Sequence, residues 1–144
     1  MAEAILNYRG KPRFKAYSAG SHPTGKVRPE AIRELEAAHL PTADARSKSW
    51  DEFTGPGAPR IDFVFTVCDN AAKEICPVWP GQPMTAHWGI ADPAAVQGTP
   101  EEVQRAFREA FVALDRRIGL FLSLPIQSLD RLAIQTEIDR IGQQ

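Results

Sequence analysis

Two cysteines and one aspartate carry the chemistry this sequence can offer, and all three stand at the ends of apolar runs. Cys68 follows Phe63-Val64-Phe65-Thr66-Val67, a short β-rich run of the kind a strand buried on both faces shows. Cys76 comes eight residues later, backed by Pro77, and Asp92 precedes Pro93 just beyond a second strand-like run, Met84 to Trp88. Ligand sites of open α/β sheets gather at the carboxyl ends of strands, so this stretch offers two thiols and a carboxylate where a site is expected. Read as one helix, the spacing of the cysteines is about 12 Å of rise. A disulfide needs Cα atoms roughly 4.4–6.8 Å apart, so pairing them requires the intervening segment to loop out. Two unrelated buried cysteines are the plain alternative. Zinc binding by this pair with His87 lacks a compact four-ligand spacing. Asp92-Pro93, taken alone, reads as a turn.

The elements that must position these groups follow from punctuation and periodicity. Met1 to Tyr8 reads as a helix ended by Gly10 and Pro12, and Phe14 to Tyr17 as a short strand. Pro29 suits the first turn of a helix that buries Ile32, Leu35 and Ala38 and turns Glu34 and Glu36 to water. Ser49 and Glu52 have capping-box spacing and open one helical turn. Thr99-Pro100-Glu101-Glu102 writes a strong helix start. Val103, Ala106, Phe107, Ala110, Phe111, Leu114, Ile118, Phe121 and Leu122 continue that helix for about six turns, to a stop before Pro125. Leu129, Leu132, Ile134, Ile138 and Ile141 predict a last, shorter amphipathic helix within a C-terminal extension, residues 125–144. Alternating strands and helices predict one α/β domain over residues 1–144, built on a parallel sheet. Only three strands can be counted, and the leading helix has none before it.

Composition narrows the function classes. The chain has 144 residues, 43% apolar and 24% charged, as an ordinary globular domain does. A net charge of −1 with no basic block excludes the electrostatic footprint of a nucleic-acid binder. No apolar run approaches the roughly 20 residues of a membrane helix, and the N-terminus has no signal-peptide pattern. Two cysteines are no disulfide framework, which makes a reducing cytoplasm the expected setting and redox or metal chemistry the expected use of a close pair.

An ordered set of short motifs spread up to about Leu124 resembles the thiol-coupled arsenate reductases. The set is Met1-Ala2-Glu3-Ala4, Tyr17-Ser18-Ala19-Gly20, Arg46-Ser47-Lys48-Ser49-Trp50, Phe65-Thr66-Val67-Cys68, Cys76-Pro77, His87-Trp88-Gly89 and Asp92-Pro93. The resemblance implies the low-molecular-weight protein tyrosine phosphatase fold, a three-layer parallel sheet flanked by helices. It also implies an anion loop, Cys-x-x-x-x-x-Arg-Ser, between a first central strand and the Met-Ala-Glu helix. That loop would cradle the oxyanion on backbone N–H groups and supply the primary nucleophile. This sequence begins at the Met of Met-Ala-Glu, and the sixth residue after Cys68 is Glu74, after Cys76 Gln82. The expectation is therefore a chain without the first strand and its loop, through an internal start, truncation or natural loss. Such a chain is expected to be inactive as given, and oligomeric, strand-swapped or marginally stable.

By the same resemblance, Cys68 attacks the primary cysteine–arsenic adduct and Cys76 resolves the resulting disulfide for thioredoxin or a similar external reductant, with no bound cofactor. Asp92 is the general acid. The substrate is arsenate or a phosphate-type oxyanion. Some relatives hold potassium near the loop with a Glu and a Ser, matched by Glu3 and Ser18, and a carboxylate near the position of Lys48. The Lys48 ammonium either takes the cation's place or is an exposed loop lysine. His87-Trp88 is expected to be structural, with the indole on the site wall and the imidazole hydrogen-bonded. His22 and His39 are expected in a solvated turn and at a helix end. A tyrosine phosphatase, needing the loop and Asp92 but not the thiol pair, and a non-enzymatic dithiol module remain the alternative functions.

Overall fold

A computed structural model describes residues 1–68 and 79–144. The elements run α1 (Ala2–Arg9), α2 (Pro29–Ala37), a 3-10 turn (Trp50–Phe53), β1 (Phe63–Thr66), β2 (Met84–His87), a 3-10 turn (Pro93–Ala95), α3 (Pro100–Leu122) and α4 (Arg131–Gly142). The result is an α/β architecture, a parallel β1–β2 pair with helices packed about it. The register sets Phe63 beside Met84 and Phe65 beside Ala86, so these four share one face. That face meets Ile5 of α1, Leu114, Ile118 and Phe121 of α3, and Ile134, Ile138 and Ile141 of α4 in one apolar core. Phe121 is its centre. Its ring lies 5.0 Å from Phe14, 5.2 Å from Phe63, 5.3 Å from Phe65 and 6.0 Å from Trp88.

The long helix forms as its start signals require: the Thr99 hydroxyl accepts from Glu102 N, and Pro100 occupies the first turn. Asp130 caps α4 in the same way through Ala133 N. Several expectations are corrected. No strand forms over 14–17, because both backbone groups of Ala16 are taken by the Asn7 side chain: Ala16 N–H donates to Asn7 Oδ1 at 2.7 Å, and Asn7 Nδ2 donates back to Ala16 O at 3.0 Å. Glu34 does not face water. It is buried in the α2–α3 seam, where its carboxylate accepts from Gln104 Nε2 at 2.8 Å and lies 3.6 Å from Arg108; Ala38, expected inside, is exposed. The capping box is not closed: Ser49 caps through Asp51 N, while Glu52 is held by Arg46 at 2.7 and 2.9 Å. Leu132 is 77% exposed, since it lies across the helix from Ile134, Ile138 and Ile141. The residues of β1 are half-buried, against an expectation of burial on both faces.

The C-terminal segment gains a structural role that its sequence did not announce. In a parallel pair alternate residues turn their backbone groups away from the partner strand, and on β2 these are Thr85 and His87. Gln135 Nε2 of α4 donates to Thr85 O at 2.8 Å, and Arg131 donates to Gln82 O at 2.9 Å. α4 thus covers the open edge of β2. Gly142 permits the approach, because a Cβ there would collide with the His87 carbonyl and the Trp88 ring. Gly142→Ala should therefore destabilise the chain by about 1–3 kcal/mol in urea unfolding. Gly119→Ala, whose Cβ would meet only the half-exposed guanidinium of Arg9, paired with Asp115 and not packed in the core, should be neutral or stabilise by up to about 1 kcal/mol. Equal effects of the two substitutions would refute the edge-cover account.

Candidate functional site

The two strands deliver their chemistry to one end of the sheet. Trp88 N–H donates to Thr66 O at 2.7 Å and Ile90 N–H to Val67 O at 2.9 Å, so the pairing continues past both strands. Cys68, half-buried, is the next residue after Val67, and Asp92 lies two residues beyond Ile90. Asp92 is exposed, and its Oδ1 accepts from Ala94 N at 2.9 Å, which folds Pro93–Ala95 into the 3-10 turn. A carboxylate held by its own turn, open to solvent and carried at a strand end, has the placement a proton donor or acceptor requires. Cys76 lies outside the described residues.

His87 and Trp88 divide as their burial dictates. The His87 ring is exposed and shares a 2.7 Å hydrogen bond between Nδ1 and Thr66 Oγ1, across the strand pair. Trp88 is buried in the core instead of lining a site wall, stacked on Phe65 at 3.9 Å with its Nε1 donating to Ile138 O at 2.9 Å. His22 is exposed in a turn beside Ser21. His39 ends α2 in the left-handed region, φ 59°.

Glu3, Ser18 and Lys48 do come together, from parts of the chain 15 and 45 residues from Glu3. Lys48 Nζ lies 3.0 Å from Glu3 Oε2, and the Ser18 hydroxyl donates to that same oxygen. The Lys48 side chain is only 4% exposed, which overturns the exposed-lysine alternative. Every residue of the Arg46-Ser47-Lys48-Ser49-Trp50 run helps fix this point. Arg46 grips Glu52, holding that carboxyl below the usual range by hydrogen bonding, and Ser47 Oγ accepts from Gly25 N. Lys48 O and Trp50 N bond Gly20 in an isolated parallel bridge to Ser49, which sets the loop beside the Ser18 turn. The arrangement is a fixed positive charge on a carboxylate, at the start of α1. A cleft of about 470 Å³ opens beside it, lined by Glu3, Asn7, Ser18 and Arg46 among others. Among the described residues no three His, Cys, Asp or Glu side chains gather as metal ligands, and no helix is long and apolar enough to cross a membrane.

Sequence reasoning missed Arg117. It falls on the buried stripe of α3 with Ala110, Leu114 and Phe121, and a charged residue at a core position of an otherwise apolar stripe was the available signal. Its NH1 donates to Trp88 O at 2.6 Å and Gly89 O at 3.0 Å, directly behind the Asp92 turn.

The sequence pattern described as low molecular weight phosphotyrosine protein phosphatase matches residues 1–133. Similar curated proteins include an arsenate reductase of Halalkalibacterium halodurans, 32% identical over 108 residues, 75% of this chain and 74% of that protein. One of Oceanobacillus iheyensis is 33% identical over the same shares. One of Bacillus subtilis is 31% identical over 121 residues, 84% of each chain. With nearly the whole chain matched, it belongs to the low molecular weight phosphotyrosine protein phosphatase family.

Proposed function

We propose that this chain carries the thiol-relay half of an arsenate reductase. The observation behind the reading is Cys68 placed just past the carboxyl end of β1, next to the Val67 that Ile90 N–H binds, in a chain whose curated relatives include arsenate reductases. In the proposed cycle a primary cysteine displaces water from arsenate to give a cysteine–arsenic(V) adduct. Cys68 thiolate attacks the sulfur of that adduct, and the S–As electron pair stays on arsenic, which leaves as arsenite. Cys76 then attacks the new disulfide at Cys68, frees the primary thiol and leaves a Cys68–Cys76 disulfide. An external dithiol, thioredoxin or a similar reductant, returns the pair to thiols in a reducing cytoplasm. Asp92 supplies the proton to the departing oxygen. The 144 residues contain no Cys-x-x-x-x-x-Arg, so turnover is proposed to need such a loop joined to them.

The test joins the chain to a strand and Cys-x-x-x-x-x-Arg-Ser loop and assays arsenate reduction with thioredoxin. The joined form should turn over arsenate and the 144-residue form should not. Cys68→Ser should lower arsenate reduction by more than about a hundredfold while leaving p-nitrophenyl phosphate hydrolysis intact, since the hydrolysis needs no relay thiol. Turnover of arsenate by Cys68→Ser would end the relay role of Cys68, and a joined form that hydrolyses p-nitrophenyl phosphate but does not reduce arsenate would leave the phosphatase reading.

Lys48 is proposed to stand where relatives hold a potassium ion, its ammonium neutralising Glu3 permanently. The melting temperature should then be the same in potassium and sodium chloride at equal ionic strength. Lys48→Met should cost about 2 kcal/mol, below the 3–5 kcal/mol of a fully buried pair because Glu3 is partly exposed. It should also make stability respond to potassium. A potassium-stabilised wild type, or a variant indifferent to the ion, would end this proposal.

A further inference from the structure

Arg117 is buried in the core with no side-chain carboxylate paired to it among the described residues. Its guanidinium is spent on main-chain oxygens: Trp88 O at 2.6 Å, Gly89 O at 3.0 Å and, through NH2, Gln144 O at 3.1 Å. Its Nε is buried with no hydrogen-bond partner among the described residues. Burial, and after it the charge of Arg116, pull the pKa of this group below the usual arginine value. If packing were all that mattered, a Leu or Met would fill the same position on the α3 stripe without desolvating a cation. What an apolar residue cannot do is hold carbonyl oxygens, and hydrogen bonds from a cation are stronger than neutral ones.

Those carbonyls belong to a particular place. From Trp88 to Ile90 the backbone N–H groups of Trp88 and Ile90 are bound to Thr66 O and Val67 O, on the β1 side. Arg117 binds the carbonyls of Trp88 and Gly89 from α3. The segment is thus gripped from two directions, and only Ala91 separates it from Asp92. The third contact, to Gln144 O, ties the end of α4 to the same guanidinium.

We propose that Arg117 is a positioning residue for the Asp92 turn: by binding Trp88 O and Gly89 O it fixes the segment that carries the carboxyl relative to Cys68. The proposal rests on the reading of Asp92 as the general acid. Lysine is not an adequate substitute, because a single ammonium lacks the planar fork that spans two carbonyls on one side and Gln144 O on the other.

The first experiment is amide hydrogen exchange of the 144-residue chain, resolved by NMR, for wild type, Arg117→Met and Arg117→Lys. The expected result is exchange faster by about tenfold or more at Trp88, Ile90 and Ala94, with Ile5 and Leu35 at their wild-type rates. Acceleration shared by α1 and α2 would reduce Arg117 to general stability, and unchanged rates at Ile90 would overturn the proposal outright. Should Arg117→Met not fold, the Arg117→Lys exchange pattern decides by the same criteria. The second experiment measures p-nitrophenyl phosphate turnover in the loop-joined form. Arg117→Met should lower kcat with little change in KM, and Asp92→Asn/Arg117→Met should be no slower than Asp92→Asn alone. Additive losses would overturn the coupling to Asp92. If Asp92→Asn keeps full turnover, the acid assignment fails, and the exchange data separate that failure from this one.

Discussion

The indole of Trp88 can occupy only one place, and the rest of the architecture is arranged to give it that place. Its main-chain N–H fixes β2 against β1 through Thr66 O. Its ring stacks on Phe65 and meets Phe121 edge-on, which ties the strand pair to α3. Its ring N–H must find an acceptor, because a buried donor left unmade costs about 1–3 kcal/mol. The acceptor is Ile138 O, in the middle of α4. A carbonyl has two lone pairs and can serve the indole while remaining part of its helix. Strand register, helix docking and the seat of the C-terminal segment are therefore one constraint, expressed through one side chain.

Polar side chains do much of the work that strands and helix caps usually do. Asn7 binds Ala16 as a neighbouring strand residue would, Gln135 covers Thr85 O as a further strand would, and Arg13 caps α3 by donating to Leu122 O at 2.7 Å. Glu34 and Gln104 close the α2–α3 seam with a buried polar contact where an apolar pair would pack as well. Each satisfies a backbone or carboxylate group that no regular element serves; those of Asn7 and Gln104 are partly buried, those of Gln135 and Arg13 exposed. Among the described residues a short strand pair is thus held by side chains as well as by pairing.

These substitutions also explain which parts of the molecule were legible in the sequence. Helices α3 and α4 were readable from Thr99-Pro100 and the isoleucine spacing, because capping and periodicity are local properties. The strand ends that carry Cys68 and Asp92 were readable because a short β-rich run next to Gly and Pro leaves few alternatives. The strand at 14–17 was misread: its Phe and Tyr have the right propensity, but nine residues upstream Asn7 takes the backbone that pairing would have used. Glu34 was placed in water because its partner Gln104 is 70 residues away. The Glu3–Lys48 pair was reachable only through family resemblance, since nothing in either segment announces the other across 45 residues. Arg117 was hidden in a run, Asp115-Arg116-Arg117, that reads as an ordinary charged surface until the stripe of apolar neighbours is counted.

The first thiol of the proposed relay stands on backbone that the core holds. Val67, immediately before Cys68, is bound by Ile90 N–H, and Ile90 belongs to the segment that Trp88 and Arg117 lock to α3 and α4. Moving Cys68 would mean breaking that lock and exposing apolar surface around Trp88, at about 25 cal/mol for each Å². The segment that leads to Asp92 shares that lock through Ile90, so the proposed proton donor and the first proposed relay thiol are carried on backbone tied to one core. The same core that makes the C-terminal helix necessary for the fold thus sets a stationary reference for chemistry that depends on distance.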